Sequence, residues 1–191
     1  SLYDALERVG KMDINPAKSL NLERYSVVTL HRPSNVDSEE IVNQLVKHLV
    51  EISKKIGIVF PMHPRTRNNL RKFGKLSILE SEPSIYVLEP LGYLEFVSLV
   101  GGSTLVITDS GGLQEETTSL SIPCLTLREN TERPITITEG TNKLITDLSI
   151  LQSSIDEALI SKSNQNKQKP KYWDGRTAER IVNAIIACIE R

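Results

Sequence analysis

One stretch narrows the choice of folds more than any other: ITDSGGLQEE, residues 107–116. A buried strand, Leu105-Val106-Ile107, ends in a Ser-Gly-Gly turn that runs straight into a helix. Such a turn turns bare backbone N–H groups and the positive end of a helix dipole toward whatever lies above the sheet, a geometry that suits a phosphate or diphosphate. Gly111 and Gly112 let the backbone approach an anion, because no Cβ stands in the way. The Ser110 hydroxyl can add a hydrogen bond. Glu116 falls about one turn into the helix and could accept from two neighbouring hydroxyls, as on a ribose. The same pattern also serves as a plain strand–turn–helix connection with glycines for packing, so the turn alone leaves both readings open.

The rest of the chain alternates in the same way. Apolar strands are expected at 25–30, 56–61, 84–88, 104–108 and 122–127, with a sixth at 143–146. Between them lie helical patterns. Ile41, Leu45, Leu49 and Ile52 recur at helical spacing after a cap at Asp37 or Ser38. A basic helix starts at Pro64 and ends near Gly74. Another spans 92–100 and is closed by Gly101-Gly102, and one follows the glycines at 113–119. Helices are expected last at 149–160 and 174–191. Strands alternating with helices argue for an α/β fold, a Rossmann-like parallel sheet with helices on both faces. Continuous Val/Ile/Leu runs fit strands covered on both faces. In such sheets ligands bind beyond the carboxyl ends of the strands. His31-Arg32, His63-Pro64-Arg65, Glu89-Pro90-Leu91, Asp109-Ser110-Gly111-Gly112 and Arg128-Glu129-Asn130 each follow a strand, so polar groups suited to an anion collect on one edge.

Composition bounds the function. The 191 residues are 39% hydrophobic and 25% charged, ordinary for a globular protein. The net charge of −1 gives no argument for nucleic acid or for an anionic membrane surface. No apolar run approaches the roughly 20 residues of a membrane span. Cys124 and Cys188 sit in apolar segments and are expected as small core residues; with no metal-ligand spacing, they point to a reducing, cytoplasmic setting and no bound metal. The chain starts in the middle of an amphipathic helix, with Leu2, Ala5, Leu6 and Val9 on one face, and is expected to be a fragment of a longer protein. Residues 161–171, SKSNQNKQKPK, form a polar connector.

Three histidines are open to chemistry. His31 follows a buried strand, where an imidazole can donate to a phosphate, offset leaving-group charge or move a proton. It could equally be satisfied by loop backbone. His63, in PMHPRTR, has a weaker claim. His48 falls on the polar face of its helix and is expected at the surface.

The motifs LHRPSNVD, PMHPRTR, TDSGGLQEE, RENTERP and EGTNKLI, with the tail WDGRTAERIV, stand in an order and at spacings that resemble the C-terminal half of the non-hydrolysing UDP-N-acetylglucosamine 2-epimerases. The resemblance covers nearly the whole chain. It implies one half of a two-domain architecture like that of GT-B glycosyltransferases, with the active site in the cleft. Residues 1–24 would be a lead-in helix and linker from the absent half, and 25–160 the UDP-binding domain. Residues 161–173 would be the polar connector and 174–191 the C-terminal helix.

The implied reaction interconverts UDP-GlcNAc and UDP-ManNAc. UDP leaves as the C2 proton is removed, and UDP adds back after a proton reaches the other face. The family needs no cofactor and no obligatory metal, and the parent is expected to be a homodimer. By motif, Ser110, Gly111 and Gly112 would hold the diphosphate, Glu116 the ribose, and His31 would assist departure of UDP. Phe96 matches an aromatic position near the nucleotide, though it also fits helix core. Arg133 would lie near the diphosphate or brace the loop that does.

Two positions depart from the family pattern. Ser34 stands where HRREN has glutamate, which together with the histidine matching His63 belongs to a regulatory nucleotide-sugar site in some members. Ile135 stands where TERPE has glutamate. Two other readings compete: the donor-nucleotide half of a GT-B glycosyltransferase, and a nucleotide-binding module without catalysis. The HRPSN and TERP–GTN motifs favour the epimerase.

Overall fold

The computed structural model describes residues 2–161 and 169–189; most of the expected connector at 161–171 lies outside them. Six strands form one sheet: β1 Tyr25–Thr29, β2 Gly57–Pro61, β3 Ile85–Leu88, β4 Leu105–Thr108, β5 Cys124–Leu127 and β6 Asn142–Ile145. Their order is β3-β2-β1-β4-β5-β6, and every neighbouring pair is parallel. This is the doubly wound order that leaves a crevice where the chain reverses direction, between β1 and β4.

The helices, in chain order, are α1 Leu2–Val9, α2 Pro16–Ser19, α3 Pro33–Val36, α4 Glu39–Ser53, α5 Pro64–Lys72 and α6 Leu76–Ser81. They continue with α7 Tyr93–Gly101, α8 Gly111–Leu120, α9 Ile135–Thr138, α10 Leu151–Ser161 and α11 Thr177–Ile189. A 3₁₀ turn at Leu148–Ile150 leads into α10.

The side-chain alternation of each strand sorts the core into two layers. Val28, Ile58, Phe60, Leu105, Ile107 and Leu125 point to one face, where they meet α4, α6 and α10 through Leu45, Leu49, Ile52, Leu79, Leu151 and Ile155. Val27, Val59, Val106 and Cys124 point to the other, against Leu99 and Val100 of α7 and Leu113 of α8. Facing pairs follow the register: Val28 lies opposite Ile107, and Val27 opposite Val106. Both faces are therefore dry, which is why the strands read as unbroken apolar runs.

Two expectations are corrected here. Cys124 is fully buried, and burial pushes its thiol up to about 11, but Cys188 on α11 is exposed. None of the α11 side chains is buried: Ile181, Val182, Ile185, Ile186 and Ile189 all stand open. Helical periodicity identifies an apolar face without saying whether this chain supplies its cover. His48 is half-buried rather than at the surface. Gln152 of α10 donates to its carbonyl at 3.1 Å, and burial lowers the pKa of the ring.

At the other end of the chain, α1 packs on α7, and the Tyr3 hydroxyl donates to the Trp173 carbonyl at 2.6 Å. Among the described residues, no helix is long and apolar enough to cross a membrane.

Ile107 is fully buried at the centre of the sheet. Ile107→Ala should cost about 2–5 kcal/mol through lost transfer energy and the cavity left behind. Urea unfolding should show a lower midpoint with an unchanged slope.

Candidate functional site

The site grows from two strand ends. β1 runs out at Thr29 and delivers Leu30, His31 and Arg32; β4, its parallel neighbour, runs out at Thr108 and delivers Asp109, Ser110 and the start of α8. The two loops are joined by Asp109, whose side chain is 0% exposed. Its carboxylate accepts from the backbone N–H of His31 at 3.0 Å, from that of Arg32 at 2.8 Å and from Asn35 Nδ2 at 3.0 Å. His31 Nδ1 lies 2.9 Å from its Oδ1. Arg32 Nε returns the contact by donating to the Asp109 carbonyl at 2.9 Å. A buried carboxylate is costly unless it is paired and hydrogen-bonded, and this one has a donor on every side.

Ser110 is the N-cap of α8, and its side chain makes no capping hydrogen bond. Its own N–H is taken by Thr108 Oγ1 at 3.0 Å. The helix begins at Gly111, two residues earlier than sequence periodicity suggests, so Gly111 and Gly112 belong to its first turn and their N–H groups have no carbonyl one turn back to bond. A Cβ on Gly112 would meet nothing within 4 Å; one on Gly111 would come within 3.6 Å of Arg128 Nη1. The glycine turn thus faces open ground on one side and a guanidinium on the other.

Glu116 lies on the next turn of α8. The Tyr93 hydroxyl, from the first residue of α7, donates to its Oε1 at 3.2 Å. Burial raises the Glu116 pKa, and the Tyr93 bond pulls partly the other way. Phe96, three residues after Tyr93, is half-buried and packs against the core layer that contains Leu113. Tyr93 and Glu116 thus meet beyond the glycine turn, while His31, Asp109 and Arg128 lie beside it.

Arg133 and Arg128 sit on the loop after β5. Arg133 Nε lies 3.0 Å from Glu115 Oε2, although the approach is off the N–H direction and no hydrogen bond forms. The contact sets the loop after β5 against α8, to which Glu115 belongs. Arg128, 7% exposed, is gripped by both oxygens of Glu132 at 2.7 and 2.9 Å. That pairing lowers the Glu132 carboxyl to about 2.

The loop is held from below by a buried amide pair. Gln114 Oε1 accepts from Thr131 Oγ1 at 2.6 Å and from Asn142 Nδ2 at 3.1 Å, while its Nε2 donates to the Ser110 carbonyl at 3.3 Å. Asn142 Oδ1 accepts from Thr126 at 2.7 Å.

His63 is the N-cap of α5. Its Nδ1 accepts from the Arg65 N–H at 3.1 Å, and its ring centre is 5.7 Å from that of His31. Ser34 is exposed and lines a groove of about 330 Å³ with Asn35, Leu127, Arg128 and Asp147; His63 is not part of that lining. Among the described residues, no group of three or more His, Cys, Asp or Glu side chains could hold a metal ion.

Sequence reasoning missed Tyr93 and Gln114, and it set Asp109 and Arg128 at the ends of strands without the roles they play here. Two carried a faint signal. Asp109 is a carboxylate directly after a buried strand, and Gln114 interrupts the apolar face of its helix.

Comparison with known proteins places the chain. Residues 2–186 match the family described as UDP-N-acetylglucosamine 2-epimerase. The chain is 45% identical over 166 residues to the UDP-N-acetylglucosamine 2-epimerase of Methanococcus maripaludis, covering 85% of this chain and 44% of that protein. A crystal structure of the Methanocaldococcus jannaschii UDP-GlcNAc 2-epimerase in complex with UDP-GlcNAc and UDP superposes with a TM-score of 0.84 at 34% identity, over 97% of this chain and 52% of that one. The Neisseria meningitidis UDP-GlcNAc 2-epimerase bound to UDP-GlcNAc gives a TM-score of 0.77 at 27% identity, over 97% and 52%. The chain spans about half the length of the relatives it matches.

Gln114→Leu should orphan the Thr131 hydroxyl and one Asn142 donor. At about 1–3 kcal/mol per buried unsatisfied group, a loss of roughly 2–4 kcal/mol is expected in urea unfolding, with faster amide exchange at Thr131 and Arg133. By the match along nearly its whole length, the chain belongs to the UDP-N-acetylglucosamine 2-epimerase family.

Proposed function

We propose that this chain is the UDP-binding half of an enzyme that interconverts UDP-GlcNAc and UDP-ManNAc by elimination and re-addition of UDP. One observation carries the reading. The His31 loop and the Ser110–Gly112 turn face each other across the β1/β4 reversal, with Glu116 one helical turn further on. Such a reversal is where doubly wound sheets bind nucleotides.

In this proposal the diphosphate lies on the N-terminus of α8, receiving N–H groups from the glycine turn and the Ser110 hydroxyl. The ribose hydroxyls displace Tyr93 from Glu116. Phe96 stands beside the nucleoside, and Arg133 braces the loop that borders the phosphates. His31 sits next to the leaving diphosphate. His63 stays outside the UDP site, because its Nδ1 is committed to capping α5; a role at a second nucleotide-sugar site would use only Nε2.

Removal and return of the C2 proton need groups on opposite faces of the sugar. The carboxylates beside the glycine turn are committed elsewhere: Asp109 to the His31 loop, Glu115 to Arg133 and Glu132 to Arg128. Those proton-transfer groups belong to another half of the enzyme, and the uncovered aliphatic face of α11 suits a surface that such a half would bury. A cytoplasmic location and a homodimeric parent complete the reading.

Calorimetric titration with UDP tests it. Wild type should bind, Ser110→Ala more weakly, and Glu116→Gln about ten- to a hundred-fold more weakly, the loss expected for a charge-assisted hydrogen bond. Inorganic pyrophosphate should respond far less to Glu116→Gln. Absence of binding at millimolar UDP, or equal binding by all three proteins, would refute the site.

The pH dependence has a definite sign. Burial raises the Glu116 pKa, so its carboxylate is neutralised at a higher pH than an ordinary glutamate. UDP affinity should therefore fall as pH drops through that raised range, more steeply in wild type than in Glu116→Gln. The mutant supplies the baseline for titration of UDP itself.

The chain alone should form no UDP-ManNAc and exchange no C2 hydrogen in deuterated water, whereas the whole enzyme should do both. C2 exchange by the chain alone would overturn the division of labour between halves.

A further inference from the structure

His31 and His63 are neighbours with opposite surroundings. His31 Nδ1 lies 2.9 Å from Asp109 Oδ1, an acceptor-only carboxylate oxygen. His63 Nδ1 lies 3.1 Å from the Arg65 backbone N–H, a donor-only group. A ring nitrogen 2.9 Å from a carboxylate oxygen is favoured with its proton on by Coulomb attraction, even though this contact lies off the ring N–H direction and makes no hydrogen bond, and one that accepts from an N–H must present its lone pair. From this geometry we infer that Asp109 is a positioning residue that locks His31 as the Nδ1–H tautomer, while His63, 5.7 Å away, is held as the Nε2–H tautomer.

The lock on His31 is built rather than incidental. The Asp109 side chain is fully buried, and three further donors fix its oxygens: the N–H groups of His31 and Arg32 and the Asn35 amide. Asn35 is itself tied to the Leu127 carbonyl at 3.1 Å, so the carboxylate cannot turn without breaking contacts to β5. The carboxylate therefore holds the loop backbone and the imidazole of the same residue at once. Because the two ring nitrogens lie on opposite sides of the imidazole, Nδ1 on Asp109 leaves Nε2 as the only nitrogen that can exchange a proton with a ligand. The His31 side chain is 43% exposed, so that nitrogen has access to solvent and to anything bound beside the glycine turn. His63 has the reverse arrangement and can only donate from Nε2 while neutral. Two imidazoles of the same type thus offer opposite chemistry to the same edge of the sheet. The consequence for catalysis rests on the UDP reading above; the tautomer assignment does not.

The experiment is long-range 1H–15N correlation spectroscopy of the uniformly 15N-labelled chain, at a pH well above the range in which imidazole titrates. His31→Gln and His63→Gln spectra assign the rings. The expected result is a pyrrole-type Nδ1 with a pyridine-type Nε2 for His31, and the reverse for His63. An Nε2–H pattern for His31, the form that an exposed imidazole favours, or averaging between the two forms, would overturn the assignment. Asp109→Asn keeps the size of the side chain but puts an N–H₂ where an acceptor stood. Its His31 resonances should lose the locked pattern while the His63 resonances stay put, and an unchanged His31 would overturn the role of Asp109. If that variant does not fold, the wild-type pattern alone decides. Addition of UDP should move the His31 Nε2 resonance and leave Nδ1 pyrrole-type. A locked His31 that ignores UDP would support the tautomer assignment and count against the UDP site, so the two can fail separately.

Discussion

The parallel pairing of β1 with β4 is the contact on which the rest depends. The chain leaves β1 for β2 and β3 on one side of the sheet, then returns to add β4 against the free edge of β1. The connections after these two strands must therefore diverge, one to each face, and a crevice opens between them. The molecule spans that crevice with a carboxylate. Asp109 reaches from the end of β4 to the loop after β1, with hydrogen bonds that link residues more than 70 positions apart in sequence. The pairing sets the distance between His31 and the glycine turn, and Asp109 removes the remaining freedom of the loop.

Much of this was legible in the chain itself. The strands could be read because both sheet faces are covered, which leaves unbroken runs of Val, Ile and Leu. The long helix α4 could be read because it keeps its apolar residues on one side, and α7 because a Gly-Gly stop closes it. Shorter pieces were missed. The helices α2, α3, α6 and α9 have four to six residues, too few for a 3.6-residue period to repeat. The glycine turn, His31 and Glu116 were visible as local motifs. The roles of Asp109 and Gln114 were not, because their partners lie far away in sequence. Cys188 and His48 show the reverse limit. Periodicity says which side of a helix is apolar or polar, but only the packing says what that side meets: among the described residues no cover that buries it for α11, and Gln152 of α10 for His48.

The charge balance around the glycine turn has a particular character. Arg128 is spent on Glu132, and Arg133 lies against Glu115. Neither guanidinium projects as a bare charge. For a bound anion, as proposed above, attraction would then come chiefly from the end of α8 and its unbonded N–H groups, which act over short range and in a fixed direction. A site of this kind selects by shape and placement more than by long-range steering. The arginines serve to hold the loop after β5, together with the Gln114–Asn142 pair beneath it.

The unequal fates of the two cysteines have a practical side. Cys124 is sealed between β4, β6 and α8, with its thiol pushed far from the reactive thiolate form, so alkylating reagents should pass it by. Cys188 is seven residues beyond Ile181 and three beyond Ile185, on the same uncovered stripe of α11. A single thiol-reactive dye therefore reports on one surface only. Its rate of attachment measures whether that stripe is open or occupied, without any engineered change to the chain.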